Sequence, residues 1–232
     1  MTDTHPSATT PAAALLVLPG WDDDGRSQYE RLERDLAPRG WACSRADLPD
    51  ASWPDAARHA ATREQNLRQT LQDHDALVSR ASAAAIGALG FSYGGYMAAL
   101  LAARRRLDAL VLRCPALYPD DDWLCPKEEL DKRELDDYRS RVHAPSTNRA
   151  LAACAGFQGD VLLVSCEHDE VIPPPVIESY AQALACRARS VTRHVLRGAD
   201  HELSEQRWQD DYHALVVDWL EPIRRHGNGR AG

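Results

Sequence analysis

The segment Gly90-Phe91-Ser92-Tyr93-Gly94-Gly95 constrains this chain more than any other. It follows an apolar run ending at Leu89 and precedes a helical stripe of Tyr96, Met97, Leu100 and Leu101. A strand that turns directly into a helix brings its flanks into backbone contact, so the residues two before and two after the turn must be small. Gly90 and Gly94 meet that need, and Gly95 lets the helix approach closer still. Such a turn needs a rigid parallel sheet beneath it. The rest of the chain supplies one, because apolar runs alternate with helical patterns throughout.

The runs at Ala13–Leu18, Trp41–Leu48, Ala83–Leu89, Ala109–Leu112, Val161–Val164 and Ser190–Leu196 predict about six strands. Ser27 with Glu30 forms a candidate capping box for a first helix through Tyr29, Leu32 and Leu36. Residues 55–73 read as one Ala- and Arg-rich helix. Val176, Ile177, Tyr180 and Leu184 mark another, opened by Pro173–Pro175. Trp208, Tyr212, Leu215, Val216 and Trp219 mark the last, ending near Pro222. The expected fold class is α/β, a mainly parallel sheet with helices on both faces. Residues 1–12 read as a disordered tail, 13–222 as one domain and 223–232 as a frayed tail. Residues 118–157 break the rhythm, with nine acidic and five basic residues between 118 and 141. A long insertion of this kind reads as a short cap over the ligand side.

Composition narrows the function classes. A net charge of −8 is a poor match to nucleic acid. No run of about 18 apolar residues is present to span a membrane. The core must use Leu, Val and 36 alanines, because only two Phe and two Met occur. The first residues lack a secretory signal, and no two of the six cysteines form C-x-x-C. Reduced, mostly buried thiols and a cytoplasmic location are expected.

The G-x-S-x-G turn lifts the Ser92 hydroxyl above the carboxyl ends of the strands, where the Tyr93 N–H at the helix N-terminus can donate to an oxyanion. A serine hydroxyl needs a base, and the base an orienting acid. The acid is expected after a late strand, where Asp169 is placed best and Glu167 and Glu170 compete. The base is expected after the last strand, where His201 lies in the loop Arg197-Gly-Ala-Asp-His; His194 and His213 fall within a strand and a helix. The loop Leu18-Pro19-Gly20-Trp21 is placed to give the second oxyanion donor, the Trp21 N–H. Tyr118 and Trp123 in the cap are candidate pocket residues. Asp22-Asp23-Asp24 reads as a solvated turn leading to a helix rather than a metal site. A metal site of His168, Asp169 and His201 explains the same residues less well than a serine elbow. No metal or cofactor is expected.

These residues resemble the α/β-hydrolase superfamily. The match is carried by L-P-G-W at 18–21, G-F-S-Y-G-G at 90–95, H-D-E-V-I-P at 168–173 and G-A-D-H at 198–201. The form G-x-S-Y-G-G-Y-M at 90–97 looks like the catalytic domains of acylaminoacyl and dipeptidyl peptidases, and like small dienelactone-hydrolase-like enzymes. The resemblance implies a minimal hydrolase fold with nucleophile Ser92, acid Asp169 and base His201. Serine stands where dienelactone hydrolases carry cysteine, so lactone specificity does not carry over. At this length no propeller of the kind that gates the peptidases is expected. The leading expectation is a hydrolase of a small soluble carboxylic ester. A peptidase, a thioesterase, or a receptor of the same fold with negligible turnover are the alternatives. The acidic cap could instead draw a cationic substrate, or form a solvated helix surface. The sequence gives no oligomeric state.

Overall fold

The structure, a computed structural model, describes residues 12–228. Nearly all of the expected N-terminal tail and the last four residues lie outside that range. Among the described residues six strands form one sheet: β1 (Ala13–Leu18), β2 (Trp41–Arg45), β3 (Ala85–Phe91), β4 (Ala109–Arg113), β5 (Asp160–Cys166) and β6 (Ser190–Leu196). Their order is β2-β1-β3-β4-β5-β6, and every neighbouring pair is parallel. β1, β3 and β4 are buried along their whole length, as uninterrupted apolar runs between two helical layers must be. Alanines at 13, 14, 85, 88 and 109 are at most 1% exposed, and their small side chains let the helices lie close.

The chain runs outward from β1 to β2, then returns to the other side of β1 for β3 onward. Right-handed crossovers therefore put helices on both faces. α1 (Arg26–Leu36) packs on α8 (Gln206–Asn228). α3 (Arg63–Ala81), α4 (Tyr93–Ala102), α6 (Arg149–Gly156) and α7 (Pro174–Leu184) pack in series on the other face. The reversal between β1 and β3 is the switch point at which ligands bind in open α/β sheets. The loop after β1 and the Ser92 turn after β3 meet there.

Local signals differ from the sequence reading at four places. Ser27 caps nothing. α1 starts at Arg26, and the Gly25 N–H before it is held by Asp23 Oδ1 at 2.9 Å. The helix expected over 55–73 is two helices, α2 (Asp55–Ala60) and α3, because Thr62 and Gln65 form a reciprocal capping box that starts α3 afresh. The last helix runs through Pro222 to Asn228 rather than ending near Pro222. Ile223 stays buried on the same apolar face as Val216 and Leu220, and that packing outweighs the bond the proline removes.

The fourth difference lies in the expected cap. Only its first part, with α5 (Lys132–Arg139), is loop-rich. α6 is an ordinary crossover helix between β4 and β5. Ala150, Leu151 and Cys154 are completely buried, and the helix packs against α4 and α7. Asn148 caps it through the N–H groups of Ala150 and Leu151. Among the described residues no helix is long and apolar enough to cross a membrane.

Candidate active site

The turn after β3 has the geometry its glycines require. Ser92 is at φ 51° and ψ −115°, a conformation that costs a non-glycine residue about 1–3 kcal/mol and persists only where the surroundings enforce it. A Cβ on Gly90 would lie 2.4 Å from the Gly94 carbonyl oxygen. One on Gly94 would lie 2.1 Å from the Leu18 carbonyl oxygen. One on Gly95 would lie 3.0 Å from Pro115. The N-terminus of α4 is thus pressed onto the end of β1. The same contact sets the Trp21 loop beside the Ser92 turn. The Trp21 and Tyr93 rings meet edge to face at 5.2 Å. Among the described residues neither backbone N–H, of Trp21 or of Tyr93, has a hydrogen-bond partner.

His201 and Asp169 are brought together from the loops after β6 and β5. His201 Nδ1 lies 2.8 Å from Asp169 Oδ2, and both side chains are nearly closed to solvent. Asp169 Oδ1 accepts the N–H groups of Val171 and Ile172 at 2.9 and 2.8 Å. Burial alone would raise the Asp169 carboxyl. The hydrogen bond and charge of His201, with the Ile172 N–H, outweigh it and hold the group below its ordinary value. The carboxylate is therefore fixed in charge and orientation.

The competing acids have other partners or are exposed. Glu167 is exposed, and its Oε2 accepts the Gly198 N–H at 2.8 Å, so it pins the His201 loop from outside. Glu170 is exposed. His168 and His194 are also exposed, and His213 pairs with Asp35 at 2.8 Å. Asp23, in the acidic run after β1, is spent on Gly25 and on the Tyr29 hydroxyl.

Two residues that sequence reasoning missed link the turn to His201. The Ser92 N–H donates to the Arg113 carbonyl at 3.0 Å, and Arg113 Nη1 donates to the His201 carbonyl at 3.1 Å. Cys114, next along, has its sulfur within 4.8 Å of ligand atoms of both Asp169 and His201. Its sulfur also lies 3.4 Å from that of Cys166. Neither residue stands in a motif. The one available signal was that both fall at the carboxyl end of a buried strand.

The segment after β4 rests on the Trp21 loop. Trp21 Nε1 donates to Glu128 at 3.1 Å, and Lys127 Nζ stands 4.3 Å from the centre of the indole. Tyr118 is only 3% exposed and packs edge-on to Tyr93 and Tyr96, with Arg63 and Arg139 over its ring. It is buried rather than part of an open pocket wall. Trp123 is half-buried under the Arg63 and Arg149 guanidiniums. Arg63 is fully buried and donates to the Pro119 and Asp121 carbonyls, which ties α3 to the same segment. Several cap carboxylates are already paired: Asp120 with Arg149, Glu128 with His59 and Asp137 with Arg141.

Comparison with known proteins places this geometry in a family. No curated protein sequence matches the chain. Among solved structures, it is similar to a metagenome-derived lipolytic enzyme of the LipS and LipT pair. The TM-score is 0.68 at 15% identity, covering 94% of this chain and 95% of that one. It is also similar to Est1E from Butyrivibrio proteoclasticus with ferulic acid bound, at TM-score 0.67 and 15% identity, covering 92% and 90%. Dienelactone hydrolase from Anabaena variabilis gives 0.64 at 17% identity, covering 91% and 87%. At such identities the likeness speaks for the fold. The sequence pattern of the prolyl oligopeptidase family matches residues 52–224, from before α2 to near the end of α8. The chain belongs to the prolyl oligopeptidase family within the α/β-hydrolase superfamily, and is in general terms a serine hydrolase.

Proposed function

We propose that residues 13–222 act as one catalytic domain that hydrolyses a small soluble carboxylic ester through a Ser92–His201–Asp169 triad. The observation that carries the reading is the 2.8 Å Asp169–His201 pair, linked through Arg113 to a strained Ser92 turn. In this mechanism His201 takes the Ser92 proton as the hydroxyl attacks the substrate carbonyl. Asp169 orients the imidazole and stabilises the imidazolium. The Trp21 and Tyr93 N–H groups receive the oxyanion, each worth about 3–4 kcal/mol in the transition state. His201 then protonates the leaving alcohol, and water hydrolyses the acyl-enzyme.

The family match supports a second reading, a peptidase that uses the same residues on an amide. The two are separated by turnover of p-nitrophenyl acyl esters against aminoacyl amides, with Ser92→Ala as the control. The ester reading expects steady ester turnover, little amide cleavage, and a loss on the order of 10⁶ in the variant. Amide cleavage that exceeds ester cleavage would favour the peptidase. Ester turnover retained by Ser92→Ala would refute both.

A further inference from the structure

Between α1 and α8, against the ends of β3 and β4, lies a cavity of about 220 Å³. Tyr29, Leu32, Phe91, Tyr212 and Val216 form its apolar and aromatic part, polar side chains of α1 and α8 form the rest, and Arg113 reaches it from the sheet. Phe91 and Arg113 are register partners, and the guanidinium stacks 3.6 Å from the centre of the Phe91 ring. Arg113 is 3% exposed. Its one hydrogen bond among the described residues is from Nη1 to the His201 carbonyl, and its buried Nε has no partner. The Tyr212 hydroxyl, beside the same guanidinium, is also buried and without a hydrogen bond of good geometry. Arg34, exposed and without a carboxylate partner among the described residues, also lines the cavity.

A buried guanidinium with no ion pair within 4 Å among the described residues is costly; Glu202 acts on it only at longer range, and aromatic faces offset only part of that cost. Here a buried cation with no ion pair and the hydroxyl beside it both border a space large enough for a small molecule. We infer that this cavity is a binding site for a small monocarboxylate with an apolar tail, distinct from the crevice above Ser92. The carboxylate pairs with Arg113 and accepts the Tyr212 hydroxyl, while the tail lies along Leu32 and Val216. One negative charge neutralises one buried cation. The second charge of a phosphate dianion would be met only by Arg34, which is exposed to water, and that is why the carboxylate is favoured. The site does not depend on which bond the enzyme cleaves.

The test is calorimetric titration of hexanoate, hexanol and inorganic phosphate into Ser92→Ala protein, which removes turnover. Hexanoate is expected to bind, with hexanol and phosphate at least tenfold weaker. Arg113→Met is expected to weaken hexanoate tenfold or more. Tyr212→Phe, which removes an unpartnered hydroxyl and preserves packing, is expected to weaken it severalfold without altering the thermal unfolding midpoint. A crystal soaked with hexanoate is expected to hold the carboxylate against Arg113. The proposal is overturned if hexanoate does not bind, if Tyr212→Phe and Arg113→Met both leave binding unchanged, if hexanol or phosphate binds as tightly, or if the soaked carboxylate sits elsewhere.

Discussion

Asp169 Oδ2 stands 2.8 Å from His201 Nδ1 while Asp169 Oδ1 accepts two backbone N–H groups from its own loop. One oxygen fixes the acid, and the other fixes the imidazole. Asp169→Asn is expected to keep the side chain in place but present an amide to Nδ1, stabilising the wrong tautomer. Ester turnover should fall on the order of 10⁴ in kcat with little change in KM. Steady-state kinetics of the purified variant checks this. A loss confined to KM would contradict the assigned role.

The same carboxylate makes a pH prediction. Its pKa is lowered in the folded state, because the His201 interaction and the loop N–H overcome the upward pull of burial. The unfolded chain therefore binds the proton more readily, and stability rises with pH through this window. The contribution is full above the unfolded value of about 3.9 and is lost as pH falls through the lower folded value. Wild type should lose more unfolding free energy than Asp169→Asn between neutral pH and pH 3, measured by urea denaturation. Parallel losses would show that Asp169 gains nothing from its partners.

The elbow glycines give a steric prediction. Gly94→Ala would drive a Cβ to 2.1 Å from the Leu18 carbonyl oxygen and 2.4 Å from that of Pro19, and backbone cannot swing aside as a flexible side chain can. It is expected to cost about 3 kcal/mol or to abolish folding. Gly156→Ala, at a helical position with nothing within 4 Å, is expected to stabilise by about 0.5–1 kcal/mol. Chemical denaturation of the two variants reads both signs at once.

Thiol reactivity should follow burial. Cys186 is exposed, whereas Cys114 and Cys154 are buried. The hydrogen bond with Cys166 and burial push the Cys114 thiol well up, and burial alone pushes Cys154 up. Iodoacetamide at pH 8, followed by peptide mass spectrometry, is expected to label Cys186 first and to spare Cys114 and Cys154 in folded protein. Early labelling of Cys114 would mean that the loop after β4 opens.

The strands and the loops that carry the candidate triad were legible because each rests on local chemistry repeated along the chain. β1, β3 and β5 are continuous apolar runs, and Ser92, Asp169 and His201 each sit in the loop that ends a strand. What the sequence concealed depends on tertiary contact. Ser27 and Thr62 both carry capping-box spacing, but only Thr62 uses it, because Asp23 already holds the start of α1. Pro222 reads as a helix end until Ile223 is seen to be buried beyond it. Arg113 looks like an ordinary charge at the end of a strand, and its burial follows from Phe91 and Tyr212 closing over it. Tyr118 reads as a pocket residue until the arginines and tyrosines that bury it are seen.

The central claim is that Ser92 is the nucleophile. Treatment of the native protein with a fluorophosphonate probe, followed by peptide mapping, tests it most directly. The account predicts a single stoichiometric adduct on Ser92, lost in Ser92→Ala and slowed by orders of magnitude in a His201→Ala variant. Labelling at another residue, or active protein that takes up no probe, would contradict it.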